Sequence, residues 1–308
     1  MPIEPRAKRI LDMMALQAGS TRDMTVALRR EGFAKLMQMG AKARPIARVE
    51  DRSIPTPHGA LPLRSYDTVA ERDAPAPALV FFHGGGLVAG SIDTHDTICR
   101  HLAQSSGLKI ISVGYRLAPE APYPAALEDT MLAVDHLWTH ASDFGIDRSR
   151  LAVGAESAGC LLATAIAQGL RAVSARFRAQ LLLCPVIDLS GSYPSRADYG
   201  SGYLIDASTV AHDIAQVFPN LAPGVLLPSP LRFGTVAAAP PTIIVSAECD
   251  PFRDEAQLYA EMLEDAGVQV WHRMHPGMVH SFYGLPALLP QAAPALADAG
   301  LQLKTLLT

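Results

Sequence analysis

Apolar residues recur along this chain at two different spacings, and the change between them outlines its elements. From Ile10 to about Gly40 they repeat at helical intervals, which predicts two short amphipathic helices. The methionines in this stretch are Met13, Met14, Met24, Met37 and Met39. Because methionine fills irregular gaps and adapts to ligands, they fit a flexible apolar lid as well as ordinary helix packing.

After Pro45 the pattern becomes extended. The segments ARVEDRSI and LPLRSYDTV flank a turn at His58 and Gly59, which predicts an antiparallel hairpin. Short apolar runs then alternate with longer helical stretches, and such buried runs separated by helices favour a mainly parallel sheet of the α/β class. The predicted strands are Ala78–Phe82, Lys109–Val113, Leu151–Val153, Gln180–Cys184, Thr242–Ala247 and Val268–Met274.

The segment from Ser190 to Thr235 interrupts this alternation. It is rich in tyrosine and proline and has no clear sheet pattern. Long insertions in a compact domain are more often functional than idle, so this one is predicted to be a lid.

Composition narrows the class of protein. Of 308 residues, 49% are hydrophobic and 18% are charged, which excludes a disordered chain. The formal net charge is −4 and no long basic run occurs, so a nucleic-acid partner is not expected.

The cysteines and the N-terminus indicate a cytoplasmic protein without a membrane anchor. Cys99, Cys160, Cys184 and Cys249 have no paired spacing and three lie in or beside apolar runs, as reduced, buried cysteines do. The N-terminal stretch has no continuous apolar core of the kind found in signal peptides. No later run reaches transmembrane length.

The segment LAVGAESAG carries the clearest chemical signal. It predicts a strand, a tight turn at Ser157 and a helix, with the small residues Ala155 and Gly159 two positions away on either side. This arrangement is typical of a nucleophilic serine. The alternative is that Ser157 merely caps the helix.

A nucleophilic serine needs a base and an acid that orients the base, each on a loop after a later strand. Asp250 directly follows a predicted strand, which makes it the candidate acid. Its competitors are Glu248, at the strand end, and Asp254, in a first helical turn where an acid complements the helix dipole.

The candidate base is His280, on the loop after the next strand. His275 competes with it but precedes a predicted turn at Pro276 and Gly277. The histidines His272, His275 and His280 could also suggest a metal site, but no carboxylate or cysteine has ligand spacing beside them, and none is predicted.

The glycine-rich stretch HGGGLVAGSIDTHD begins at His83, after a buried strand. Acyl transfer forms an oxyanion that backbone N–H groups stabilise. Gly84 and Gly85 are the predicted donors from this loop, and Ala158 is the predicted donor from the serine turn. His83 is interpreted as a hydrogen-bonding residue that shapes the loop.

With these motifs in place, the chain resembles the hormone-sensitive-lipase-like family of α/β-hydrolase esterases. The motifs are HGGGLVAGSIDTHD, YRLAPEAPYPAALED, FGIDRSRLAVGAESAG, SPLRFG, SAECDPFRDE and HPGMVHSF, in the family's order. The resemblance implies an α/β-hydrolase core, mostly parallel with flanking helices, in two parts (46–189 and 236–308). It also implies a helical cap formed by residues 1–45 and 190–235, and ester hydrolysis without a cofactor. The family's nucleophile, acid, base and oxyanion glycines fall on Ser157, Asp250, His280, Gly84 and Gly85.

The chain departs from the family pattern at several positions. Around the serine the pattern GDSAGGN reads AESAGCL, so that Glu156 stands where aspartate is usual. Ser281 replaces a glycine that commonly follows the histidine, and Leu87 stands where a bulky aromatic residue often follows the glycines. Leu87 and Phe282 are assigned to the substrate pocket, which Leu87 is expected to widen on its acyl side.

The expected function is that of a serine carboxylesterase acting on short- to medium-chain esters through an acyl-enzyme, with a small-molecule ester as its partner. An amide or formamide hydrolase, and a ligand-binding protein on the same scaffold, remain alternatives. An exposed edge strand such as VQVWHRM is compatible with a homodimer, although its apolar residues would equally serve the core.

Overall fold

The two spacings of the sequence correspond to separate helices and strands in the computed structural model, which describes residues 3–17, 24–41, 44–169, 177–220, 229–233 and 235–308. The strands are β1 Arg48–Thr56, β2 Gly59–Asp67, β3 Ala76–Phe82, β4 Lys109–Val113, β5 Ile146–Glu156, β6 Ala179–Leu183, β7 Thr242–Cys249 and β8 Val270–Val279. The helices are α1 Pro5–Gln17, α2 Val26–Gly40, α3 Asp96–Ser106, α4 Ala125–Thr139, α5 Gly159–Ala167, α6 Pro194–Asp198, α7 Ala207–Val217, α8 Pro230–Phe233, α9 Arg253–Asp265 and α10 Ala292–Leu307.

In the described part of the chain, the strands form one eight-stranded sheet in the order β1-β2-β4-β3-β5-β6-β7-β8. β1 and β2 pair as the predicted antiparallel hairpin, and β2 also pairs antiparallel with β4. All pairs from β4 to β8 are parallel. The predicted α/β class with a mainly parallel sheet is therefore confirmed.

The central strands are buried on both faces. In β3, Leu79 and Phe81 belong to one hydrophobic cluster, whereas Val80 and Phe82 belong to the other. Side chains alternate between faces along a strand, so the continuous apolar run of β3 supplies both clusters. Burying each phenylalanine contributes about 1.5–3 kcal/mol, and the two layers of helices are held to the sheet in this way.

Several strands differ from their predicted extent, and the largest differences are in β5 and β8. β5 starts at Ile146, five residues before the predicted Leu151, and β8 continues through Pro276 and Gly277, where a turn was predicted. The turn prediction was wrong because the pairing of β7 with β8 shifts register between Ala247 and Cys249 and accommodates the extra residues as an irregularity.

The N-terminal helices and the insertion both approach the carboxyl edge of the sheet. Arg30 of α2 donates from Nε to the carbonyl of Val88 (2.8 Å) and from Nη2 to the carbonyl of Ala118 (3.0 Å). Arg29 of α2 forms a mostly buried ion pair with Asp213 of α7 (3.0 Å). These contacts hold the two helices against each other and against the core.

Candidate active site

Ser157 lies in the tight turn between β5 and α5, with a left-handed φ of 52°. A Cβ at Gly159 would come within 2.5 Å of the carbonyl oxygen of His83, so the turn fits against the glycine-rich loop only with glycine there. Ala155 is fully buried in β5, between β3 and β6, and its methyl group packs into the core. The sheet therefore accommodates Ala155 where the family pattern has glycine.

The structure brings the three residues predicted for acyl transfer together. Oγ of Ser157 lies 2.8 Å from Nε2 of His280, and Nδ1 of His280 lies 2.8 Å from Oδ2 of Asp250. Asp250 also accepts the backbone N–H of Phe252 at Oδ1 (2.8 Å). Parallel strands end at one edge of a sheet, which explains why residues so far apart in sequence meet here.

The pKa of His280 is raised above its ordinary value. Burial alone would lower this pKa, because it disfavours the charged ring. The charge and hydrogen bond of Asp250, together with the charges of Glu156 and Glu255, outweigh burial and raise the pKa. The imidazole is thus a stronger base than a buried histidine without acidic neighbours.

The competing acids and the competing base are engaged elsewhere. Glu248 accepts the backbone N–H of Gly277 (2.7 Å), and Asp254 accepts that of Ser195 (2.8 Å). The ring of His275 lies tilted against that of Phe282, and burial with the charge of Arg273 lowers the pKa of His275 to about 4. The geometry therefore favours Asp250 and His280 over these alternatives.

The glycine-rich loop corrects one predicted oxyanion donor. The N–H of Gly84 is directed at Nε2 of His95 (3.0 Å), away from Ser157. Gly85 and the third glycine, Gly86, line the cavity. Their N–H groups and that of Ala158 make no hydrogen bond within the residues described here. Gly86 could have been identified from the run of three glycines, but the direction of each N–H could not.

His83 has a structural position. Its Nδ1 lies 2.8 Å from the carbonyl oxygen of Gly84, and its ring stacks on Tyr115, whose hydroxyl donates to the His83 carbonyl (2.6 Å). Burial and the charge of His95 lower the pKa of His83 to about 3, so the ring is neutral at physiological pH. This is the loop-shaping position expected from the sequence.

A cavity of about 820 Å³, mostly apolar, opens above Ser157 and His280. Its walls come from both the core and the helices that approach the sheet edge. The cavity-lining residues from these helices include Met13, Met14, Leu28, Arg29, Val210 and Asp213. The methionines Met24, Met37 and Met39 line it as well, so the methionine-rich segment faces this space.

The two predicted pocket residues differ in their placement. Leu87 lines the cavity, as expected. Phe282 does not: it is fully buried beneath the sheet edge, against Tyr283 and His275. The assignment of Phe282 to the pocket is therefore corrected, because its ring is part of a buried hydrophobic cluster and does not line the cavity.

The three histidines considered for a metal do not form a group. His272 lies 2.8 Å from the hydroxyl of Ser246 instead. Across the described ranges, one set of side chains has its ligand atoms close enough to hold an ion, namely Cys184, Asp250 and His280. Burial raises the pKa of the Cys184 thiol well above its ordinary value, so the neutral thiol is a poor ligand.

Comparison with known proteins places the chain among ester hydrolases. A family model described as alpha/beta hydrolase fold matches residues 79–284. The chain is 38% identical to an ethyl acetate hydrolase of Pseudomonas putida over 94% of its length and 91% of the relative's. It is 33% identical to the carboxylesterase NlhH of Mycobacterium tuberculosis, with coverage of 95% and 92%. The structure of a hyperthermophilic esterase from Pyrobaculum calidifontis superimposes with a TM-score of 0.88 and 35% identity, over 99% of each chain.

Proposed function

The chain belongs to the hormone-sensitive-lipase-like family of α/β-hydrolase esterases and is a carboxylic ester hydrolase, and from this premise we propose that it acts through Ser157 as a serine carboxylesterase. The observation that carries the proposal is the hydrogen-bonded series of Ser157, His280 and Asp250 at the floor of an apolar cavity.

In the proposed mechanism, Oγ of Ser157 attacks the ester carbonyl carbon while Nε2 of His280 takes the hydroxyl proton. The imidazolium then protonates the leaving alcohol as the ester C–O bond breaks, which leaves an acyl-enzyme. Water, activated by His280, attacks the acyl carbon and releases the acid. Asp250 accepts the Nδ1–H of His280 throughout and fixes its tautomer.

The oxyanion of each tetrahedral intermediate requires fixed donors. We assign this role to the N–H groups of Gly85, Gly86 and Ala158. The assignment is supported by the position of the two glycines and Ala158 on the cavity wall beside Ser157.

We propose that residues 1–45 and 190–235 together cover the cavity as a cap. The Arg29–Asp213 ion pair supports this division because it joins one helix from each segment across the cavity. A Cβ on Gly86 would collide with the Asp213 carboxylate, so this pair also borders the proposed oxyanion site.

A series of p-nitrophenyl esters from acetate to palmitate tests ester hydrolysis and chain-length preference together. Each buried methylene contributes about 0.8 kcal/mol, so kcat/KM should rise until the acyl chain fills the cavity and then fall. We expect a maximum at butyrate to octanoate. Leu87→Trp, which fills part of the acyl side, should move the maximum towards acetate.

Three results of this series, extended by one amide, would contradict the proposal. Efficiency that rises steadily to palmitate would exclude a preference for short and medium chains. Faster turnover of butyryl p-nitroanilide than of the matching ester would favour the amide hydrolase, and turnover of neither compound would favour a ligand-binding protein.

We also propose a homodimer in which β8 of one copy pairs antiparallel with β8 of another. β8 ends the sheet order, and Met274 on this strand is 44% exposed. Light scattering should give twice the chain mass for the native protein and the chain mass for Met274→Lys. A monomeric native protein would exclude this pairing.

A reducing cytoplasmic setting is proposed from the cysteines, which are all free and buried. Titration of the denatured, freshly isolated protein should therefore find four thiols; fewer would argue against it. None of the helices in the described ranges combines the length and apolarity needed to cross a bilayer.

A further inference from the structure

Glu156 immediately precedes the proposed nucleophile, and the proposed mechanism gives it no task. It is only 1% exposed, although burying a carboxylate is costly unless partners compensate for the lost water. One carboxylate oxygen, Oε1, accepts the hydroxyl of Ser281. The other, Oε2, lies 3.2 Å from Nε2 of His95.

These contacts reach all three segments of the proposed active site. Glu156 ends β5, next to Ser157. Ser281 directly follows His280. Oε2 of Glu156 packs directly against the start of the glycine-rich loop, because a Cβ on Gly84 would collide with it. A single buried carboxylate therefore connects the nucleophile turn, the histidine loop and the oxyanion loop.

Two departures from the family pattern meet at this point. Glu156 stands where aspartate is usual, and Ser281 stands where glycine is common. Ser281 has a left-handed φ of 54°, a backbone conformation that disfavours a residue with a Cβ. Its hydroxyl nevertheless has a buried partner, Oε1 of Glu156, so the two departures are in direct contact.

The loop of His280 also lies in the field of several ionisable groups. Asp250 faces the imidazole from the end of β7, Glu156 from β5 and Glu255 from α9. The Cys184 thiol, just after β6, lies within 4.8 Å of the ligand atoms of Asp250 and His280 and is neutral. Glu255 is held by Arg196 in a 2.6 Å ion pair. Of these three carboxylates, Glu156 is the one that also accepts a hydrogen bond from Ser281, the residue after His280.

Resting on the proposed esterase function, we propose that Glu156 is a positioning residue that acts through its hydrogen bond from Ser281 and its packing against Gly84 to hold the histidine loop and the glycine-rich loop in register with Ser157. It touches no reacting atom. Its effect should therefore appear in kcat more than in KM.

The test measures kcat and KM for p-nitrophenyl butyrate against pH in folded variants. Glu156→Gln should lower kcat about 3- to 100-fold, a loss within the range that coupling between contacting residues produces. Because a negative charge beside His280 is lost, the acid limb of kcat/KM should also move to lower pH. A purely structural role would not move this limb.

Variants that retain a negative charge at position 156 distinguish the effect of the Glu156–Ser281 contact from the effect of that charge. Ser281→Gly should lower kcat several-fold with the acid limb unmoved, and should have little further effect in the Glu156→Gln background. Glu156→Asp shortens the side chain by one methylene, so it should weaken the contact with Ser281 and lower kcat, also with the limb unmoved. The double variant Glu156→Asp/Ser281→Gly should recover part of that loss, because glycine relieves the left-handed backbone.

The outcomes distinguish the two proposals. If the native protein hydrolyses the ester but Glu156→Gln keeps native kcat and an unmoved acid limb, the role of Glu156 is excluded and the esterase proposal stands. If the native protein hydrolyses no ester, both are excluded. Should Glu156→Gln fail to fold, Ser281→Gly decides: reduced kcat supports the proposal and native kcat overturns it.

Discussion

Replacing Ser157 with alanine is expected to lower turnover of p-nitrophenyl butyrate by about 10⁶-fold, the loss seen when a triad nucleophile is removed. The expectation follows from the 2.8 Å contact of Ser157 Oγ with His280 Nε2, since no other hydroxyl is within reach of that nitrogen among the described hydrogen bonds. The variant should keep its fold, because alanine lacks only the hydroxyl oxygen and leaves the packing of the turn between β5 and α5 unchanged.

A matched control guards against a contaminating esterase. Ser142→Ala changes an exposed serine outside the cavity and should retain native rates after the same purification. A phosphonate ester should label Ser157 in the native protein and leave the Ser157→Ala variant unlabelled. Native-level turnover by Ser157→Ala would exclude the proposed nucleophile.

The sequence predicted which segments form strands better than it predicted where each strand begins and ends. KIISV was predicted to its full length because Ile110, Ile111 and Val113 form the β-branched run of a buried strand. The polar start of β5, IDRSR, has no such pattern; it is extended because Ile146 pairs with Ala76 across a register shift. Neighbouring strands, which local sequence does not specify, determine such extensions.

In the active site, the order of residues along the chain identified the candidate acid and base, whereas the directions of N–H groups and side chains could not be predicted. Asp250 and His280 could be selected because each follows a strand that ends at the same sheet edge. Gly84 was misassigned because the direction of its N–H depends on His95, eleven residues away. The contact of Glu156 with Ser281 spans 125 residues, and only the folded sheet brings them together.

The acid of the proposed triad gives the second large effect. Asp250→Asn should lower kcat near neutral pH by about 10⁴-fold, the loss seen when such an acid becomes an amide. Asparagine can present its NH₂ group to Nδ1 of His280 and thereby stabilise the wrong tautomer. The steady-state rate with p-nitrophenyl butyrate measures this loss.

The pH profile provides an independent test of the same residue. His280 must be neutral to act as a base, so native kcat/KM should fall as pH decreases through its pKa, with a midpoint above the ordinary value of about 6.5. Removing the Asp250 charge leaves burial as the larger influence, so the acid limb of Asp250→Asn should move to lower pH. Asp254→Asn, the matched change at the competing acid, should retain native kcat and the native limb. If Asp254→Asn lost activity and Asp250→Asn did not, the acid would have to be reassigned to α9, and the 2.8 Å contact between Asp250 and His280 would have no catalytic meaning.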